Sequence, residues 1–341
     1  MNKQGIFAIL IVFIVAIVAL IAFLSFNFEG EGKEEIKIDV TDVTTNPFLW
    51  KIGDDNPSYL YGSIHLADKR VLTLPDVVVD AIQEVDFIYT ETRLDTDAIL
   101  ESTQLSLLSG GQTIDDLLPD DVYNKLDTYL ESKQMSISSF SRLKLWAVSS
   151  SLVLLDEMDD LVQNYPLDQY IWVLAGNKGK QTDGIETIQE QISILDSFTT
   201  QEQIILLNDT IDELLEYENM NKSITSVMLD AYLDGDLEIL QDTALSGFDE
   251  NNSIDIKYKQ RVIVDRNLNI SQRISDLIEN NPDIQYFFTI GSGHFYGEDG
   301  LLLLLENQGF NLSRVNFSEC SSCDSGEARI KNRCYEPYSL E

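Results

Sequence analysis

Apolar and polar positions change rhythm several times along this chain, and each change marks an element. From Gly5 to Phe26 no residue is charged and nearly all are apolar, a run of the ~20 residues that a bilayer-spanning helix needs. Residues 27–45 are polar, acidic and glycine-containing and read as a tether. Asn46–Ile52 and Ser58–Ile64 are short runs rich in aromatic and β-branched residues, and Asp54-Asp55-Asn56-Pro57 between them is a turn signal. Together they predict a hairpin. After Leu74-Pro75, the residues Val78, Ala81, Ile82 and Val85 fall on one helical face, and Asp86–Glu91 reads as a strand.

From about 97 to 178 the spacing is helical, as in Asp120–Ser132 and Leu143–Met158. Lys180–Gly184 reads as another short strand. Helical spacing resumes at about 187 and runs to about 280, broken near Gly235 and across Ser246–Asn252. The chain then closes as strand 285–290, helix 299–308 and strand Leu312–Phe317. Strands alternating with helices predict an α/β fold, a central mixed sheet built from α/β repeats with a large helical insert. No period of 20–50 residues recurs, which excludes a solenoid. The expected organisation is residues 1–4 as a short N-terminus, 5–26 as the span, 27–45 as the tether and 46–318 as the domain. Residues 319–341 form a tail.

Flanking charge gives the expected topology. Lys3 precedes the span and Glu29, Glu31, Glu34 and Glu35 follow it, which places the N-terminus in the cytoplasm and the domain outside. Leu24-Ser25-Phe26-Asn27 offers no small-x-small cleavage site, so the run reads as an uncleaved signal anchor of a single-pass cell-membrane protein. All three cysteines, Cys320, Cys323 and Cys334, lie in the tail. An oxidising exterior predicts one disulfide there with one thiol left over. The 58 acidic residues against 23 Lys and Arg give a net charge of −35, which repels phosphate backbones and excludes nucleic acid as the partner.

The candidate chemistry rests on the only two histidines, both closing the same motif: Gly62-Ser63-Ile64-His65 and Gly291-Ser292-Gly293-His294. Each motif follows a strand-like run, and the exits of open α/β sheets are where sites form. Imidazole is the side chain suited to proton transfer or metal ligation near neutral pH, so matched settings predict one paired site. Glu91 ends an apolar strand, where an unpaired carboxylate is costly to bury. Glu186 opens a helix and Asp68 lies three residues from His65, either as its supporting carboxylate or as a turn residue. Two imidazoles with one or two carboxylates make a mixed N/O set that suits Zn²⁺, Mn²⁺ or Co²⁺, and such an ion would acidify water into a nucleophile. Without metal, a histidine oriented by a carboxylate can deprotonate water, and Arg266 can hold a substrate carboxylate or an oxyanion or simply form a salt bridge. Ser63 and Ser292 lie outside any Gly-x-Ser-x-Gly motif, which argues against a serine hydrolase.

Six segments in order carry a resemblance. They are Phe48-Leu49-Trp50-Lys51-Ile52; Tyr59 to Asp68; Leu74-Pro75 with the strand ending in Glu91; Gly184-Ile185-Glu186-Thr187 with Gln191; Asp265-Arg266-Asn267; and Gly291 to Gly297 with Gly300-Leu301 and Gly309-Phe310. Over roughly 46–318 the chain resembles the TraB/PrgY/GumN family, which includes the Tiki proteases. The resemblance implies an α/β fold related to the erythromycin-esterase and ChaN-like proteins, with two histidines, acidic residues and an arginine converging on one pocket. It implies a metal-dependent peptidase of the cell surface, acting on a peptide or protein. His65, Glu91, Glu186, Arg266 and His294 are then the catalytic candidates, and His65, His294, Glu91 and Glu186 the metal ligands. Gly62, Asp68, Gly291, Gly293 and Asn267 would support them. Two other readings stay open: a protein that binds a peptide signal without cleaving it, and a metal-free hydrolase of small-molecule esters.

Overall fold

The computed structural model describes residues 43–245, 248–318, 328–330 and 333–336. The expected span, nearly all of the tether, Cys320 and Cys323 lie outside them, and among the described residues no helix is long and apolar enough to cross a membrane. The strands are β1 (Leu49–Ile52), β2 (Ser58–Ser63), β3 (Leu74–Pro75), β4 (Phe87–Thr90), β5 (Gln181–Gly184), β6 (Tyr286–Gly291), β7 (Leu312–Arg314), β8 (Ala328–Ile330) and β9 (Arg333–Glu336).

The hairpin forms as read. β1 and β2 pair antiparallel with Leu49 opposite Tyr61 and Ile52 opposite Ser58. Gly53 and Asn56 take positive φ in the turn, conformations that Gly and Asn reach at least cost. The main sheet runs β5-β4-β6-β2-β1-β7. Its first four strands are mutually parallel, and β1 is antiparallel to both neighbours. Every residue of β2 and β6 is buried, as expected of parallel strands covered on both faces.

The helix after Leu74-Pro75 spans Asp76–Glu84 and buries Val78, Val79, Ala81 and Ile82, close to the face its spacing predicts. Asp120–Ser132 is helical as predicted. The stretch Leu143–Met158 is not one helix: an α-helix covers Leu145–Val153 and a 3-10 turn covers Leu155–Glu157. Ser149, Ser150 and Ser151 each donate to a carbonyl four residues back, at 3.2, 2.9 and 2.7 Å, a pattern that bends helices.

Two helices matter for the site. Leu167–Asn177 packs against β4 and β5, and its first residue donates from Leu167 N to Leu66 O at 3.0 Å, which ties it to the loop leaving β2. A long helical rod comprises Ser253–Lys259, a π-helical turn at Gln260–Val264 and Asp265–Asn280. The C-terminal tail is not wholly separate from the domain: β9 pairs antiparallel with β3, Leu74 opposite Glu336, and Tyr335 is fully buried. Cys334 is in a disulfide.

Candidate active site

Four adjacent parallel strands deliver the candidate residues to one edge of the sheet. Glu186 follows β5, Glu91 follows β4, His294 follows β6 and His65 follows β2. The two Gly-x-x-His motifs lie side by side, with Gly62 paired to Ile290 and Ser63 to Gly291. Glycine is required by close approach at both. A methyl on Gly62 would lie 2.9 Å from Phe48 Cβ and 3.1 Å from Ser292 Cβ. A methyl on Gly291 would lie 3.0 Å from Glu91 Oε1, 3.3 Å from His65 Nε2 and 3.8 Å from His294 Cδ2. The two imidazoles and Glu91 therefore face a single point, as the matched motifs predict. Gly293 sits within the 3-10 turn Ser292–His294 that aims the second ring.

His65 has a partner that sequence reasoning missed. Its Nδ1 lies 2.5 Å from Asp168 Oδ2, and Ser63 Oγ donates to Asp168 Oδ1 at 2.5 Å. Asp168 is on the first turn of the helix Leu167–Asn177 and is 1% exposed. A signal existed: it shares the apolar face with Leu167, Ile171 and Ala175, where an acid is out of place. Burial works against charge on His65, but Asp168 above all, with Glu91 beyond it, holds the imidazole pKa above its ordinary value. The other ring nitrogen, Nε2, makes no hydrogen bond among the described residues and lies 3.7 Å from Glu91 Oε1. Asp68 does not join this group. Its side chain caps the short helix Lys69–Leu72, accepting from Arg70 N at 2.7 Å, and pairs with the Arg70 guanidinium. Proximity in sequence to His65 makes it a turn residue only.

The rest of the site is organised by Arg266. Its Nε donates to Glu186 at 3.2 and 3.0 Å, and its Nη2 to Glu91 Oε2 and Glu186 Oε2 at 2.5 Å each. Gln191 Nε2 donates to the same two carboxylates at 3.2 and 3.1 Å, and Gly291 N donates to Glu91 Oε1 at 2.8 Å. Burial pushes the Glu91 carboxyl up, but Arg266 foremost among the opposing groups brings it down to about 2. Arg93, two residues from Glu91, pairs instead with Asp95 on the surface.

His294 is held differently from His65. Asn267 Nδ2 donates to His294 O at 3.1 Å and Asp299 O at 2.7 Å, which leaves its Oδ1 as acceptor 2.5 Å from His294 Nδ1. The proton is thereby assigned to Nδ1. Nε2 keeps its lone pair and accepts from Arg266 Nη1 at 3.2 Å. Burial, then the Arg266 charge, pushes the ring pKa down to about 3, so His294 is neutral at any physiological pH. Asn267 thus fixes the orientation of the His294 ring.

The four residues expected to ligate a metal do not make a ligand set as they stand. Among the described residues no group of three or more His, Cys, Asp or Glu side chains is placed to hold an ion. Arg266 stands among these groups and engages Glu91, Glu186 and the one lone pair of His294. Arg266 is also no free clamp for substrate, since all three of its nitrogens are already engaged. The arrangement can shuttle a proton at His65, beside carboxylates fixed by Arg266.

The chain matches the model of the TraB/PrgY/gumN family over residues 48–314. It is 29% identical to Metalloprotease TIKI1 of Danio rerio over 316 residues, covering 79% of this chain and 63% of that protein. It is 27% identical to Metalloprotease TIKI1 of Homo sapiens, covering 79% and 62%. The Metalloprotease TIKI homolog of Nematostella vectensis is 23% identical, covering 79% and 67%. The chain thus spans less than two thirds of the length of both TIKI1 proteins. No solved structure matches it. With the family match spanning residues 48–314, most of the domain, the chain belongs to the TraB/PrgY/gumN family.

Proposed function

We propose that this protein is a peptidase, anchored in the cell membrane through residues 5–26 with its domain outside the cell, and that His65 is its proton-transfer group. The observation that carries the reading is the dyad: Asp168 fixes Nδ1 of His65 at 2.5 Å while Nε2, beside Gly291, makes no hydrogen bond among the described residues. Relatives named as metalloproteases support a peptide or protein substrate. In the reaction, Nε2 takes a proton from water as its oxygen attacks the peptide carbonyl. Asp168 stabilises the imidazolium that forms. The imidazolium then returns the proton to the departing amine as the C–N bond breaks, so one water is consumed and a carboxylic acid and an amine are produced. Glu91 and His294 hold their pKa values at about 2 and about 3, too low for either to serve as base near neutrality. They help hold Arg266 in place. The relatives' names imply a divalent ion, but three of the four residues that would hold it, Glu91, Glu186 and His294, already engage Arg266.

The test is a peptidase assay on the purified full chain in detergent, with fluorogenic peptide pools. The expected result is turnover in the natural protein that is lost in His65→Gln and in Asp168→Asn, with peptide binding retained. Binding without turnover in the natural protein would overturn the enzymatic reading in favour of a peptide-sequestering protein. Accessibility of a C-terminal tag to protease from outside intact cells tests the topology; protection would contradict it.

A further inference from the structure

One guanidinium touches three of the four residues whose chemistry suits a divalent ion. Each of its three nitrogens serves a different duty: Nε meets Glu186, Nη2 bridges Glu186 and Glu91, and Nη1 meets His294 Nε2. A planar guanidinium presents its donors in a fixed fork, and the surroundings are built to match that fork. Asn267, the next residue on the same helix, forces the His294 lone pair towards Arg266 rather than away from it. Gln191 covers the oxygens that Arg266 shares between the two carboxylates. Arg266 and Asn267 are both buried, 2% and 0% exposed, although they are consecutive on one helix. The π-helical turn Gln260–Val264 immediately precedes them, a feature that often marks functional positions. A surface salt bridge needs none of this.

We propose that Arg266 is the resident cation of the site, standing where a divalent ion would otherwise bind, and that an ion gains a tight site only when the guanidinium is removed. Glu91, Glu186 and His294 would then be its first ligands, with His65 Nε2 within reach. The proposal stands whether the protein cleaves its peptide or only holds it, so it can fail without the hydrolytic reading and survive that reading's failure.

The experiment is calorimetric titration of metal-stripped full-length protein in detergent with Mn²⁺, Co²⁺ and Zn²⁺ in turn. The natural protein should show no saturable one-to-one binding beyond the weak, salt-screened association of its acidic surface. Arg266→Met, which keeps an apolar stem and removes the charge, should gain one ion per chain, bound at least roughly 10-fold more tightly than by the natural protein. The gain should vanish when Glu91→Gln is added, and Arg266→Lys should show no gain because the positive charge remains. One ion per chain in the natural protein, lost in Glu91→Gln, would overturn the proposal, as would an Arg266→Met protein that folds and binds no better. If Arg266→Met does not fold, the natural protein's titration decides alone: one-to-one binding that needs Glu91 refutes the proposal, and its absence supports it.

Discussion

His65 and His294 leave neighbouring parallel strands through the same four-residue motif, and their rings meet across Gly291. Their chemistry is opposite. One ring presents Nδ1 to the carboxylate of Asp168 and has its pKa held up. The other presents Nδ1 to the amide oxygen of Asn267, faces the Arg266 charge and has its pKa pushed down to about 3. The motif sets where an imidazole stands; its proton is set by a second element, the helix Leu167–Asn177 for one ring and Asp265–Asn280 for the other. Two matched histidines are therefore not two copies of one role. In the proposed reaction one moves protons, while the other positions an arginine.

The largest expected effect separates these roles. His65→Ala should lower kcat by roughly 10²- to 10⁴-fold, the usual share of a general base, and it should also cost stability, because it leaves the buried Asp168 carboxylate without its imidazole partner. Asp168→Asn should lower kcat strongly as well, and a Asp168→Asn/His65→Ala pair should be little worse than either alone, since the two act as a unit. His294→Ala should cost much less in rate, with a stability cost of about 1–3 kcal/mol because it leaves Arg266 Nη1 without its acceptor. Equal rate losses at equal stability for both histidine variants would erase the distinction.

Next in size is Glu91→Gln. It removes one of two carboxylates from a buried guanidinium, and unbalancing a buried ion pair costs about 3–5 kcal/mol. A melting temperature unchanged in this variant would show that Arg266 is not held as described.

Acid sensitivity sharpens the comparison further. The folded pKa of His294 is lowered, so the unfolded chain takes up its proton first, and stability is lost as pH falls from about 6.5 towards 3. Glu91 acts in the same direction, its stabilisation being lost as pH falls from about 4.5 towards 2. His65 acts oppositely: its raised folded pKa favours the fold at low pH, and this is lost as pH rises through that pKa. Denaturant midpoints across pH should fall more steeply on the acid side in the natural protein than in His294→Gln. Parallel curves would contradict the burial of a neutral His294. The smallest effect belongs to Arg93→Gln. Its side chain is exposed and paired to Asp95 rather than to Glu91, so stability should move by no more than about 0.5 kcal/mol and activity not at all.

Much of this was legible in the chain. Strand-like runs ending in Gly-x-x-His, Glu91 and Glu186 place four side chains at the exits of parallel strands, and parallel strands bring such exits to one edge. Asp168 was hidden because it lies about one hundred residues from His65, on a helix whose spacing reads as packing. Asp68, close in sequence, was the misleading choice, since three residues after a strand is also where a turn is capped. The sequence offers Arg266 as a substrate clamp or a salt-bridge residue but cannot show that all three nitrogens are engaged, since their partners Glu186, Glu91 and His294 come from three other segments of the chain. The pairing of β9 with β3 was likewise unreadable from a cysteine-bearing tail.

The central claim is that the two histidines differ in protonation, and the chain makes it directly measurable because it has only two. Imidazole-¹⁵N NMR of the full chain in detergent, titrated over pH and assigned with His65→Gln, reads both rings at once. The account predicts one ring, His65, titrating above 6.5, and one, His294, staying neutral as the Nδ1–H tautomer until pH approaches about 3. Two rings titrating together near 6.5, or a His294 that protonates before His65, would contradict it.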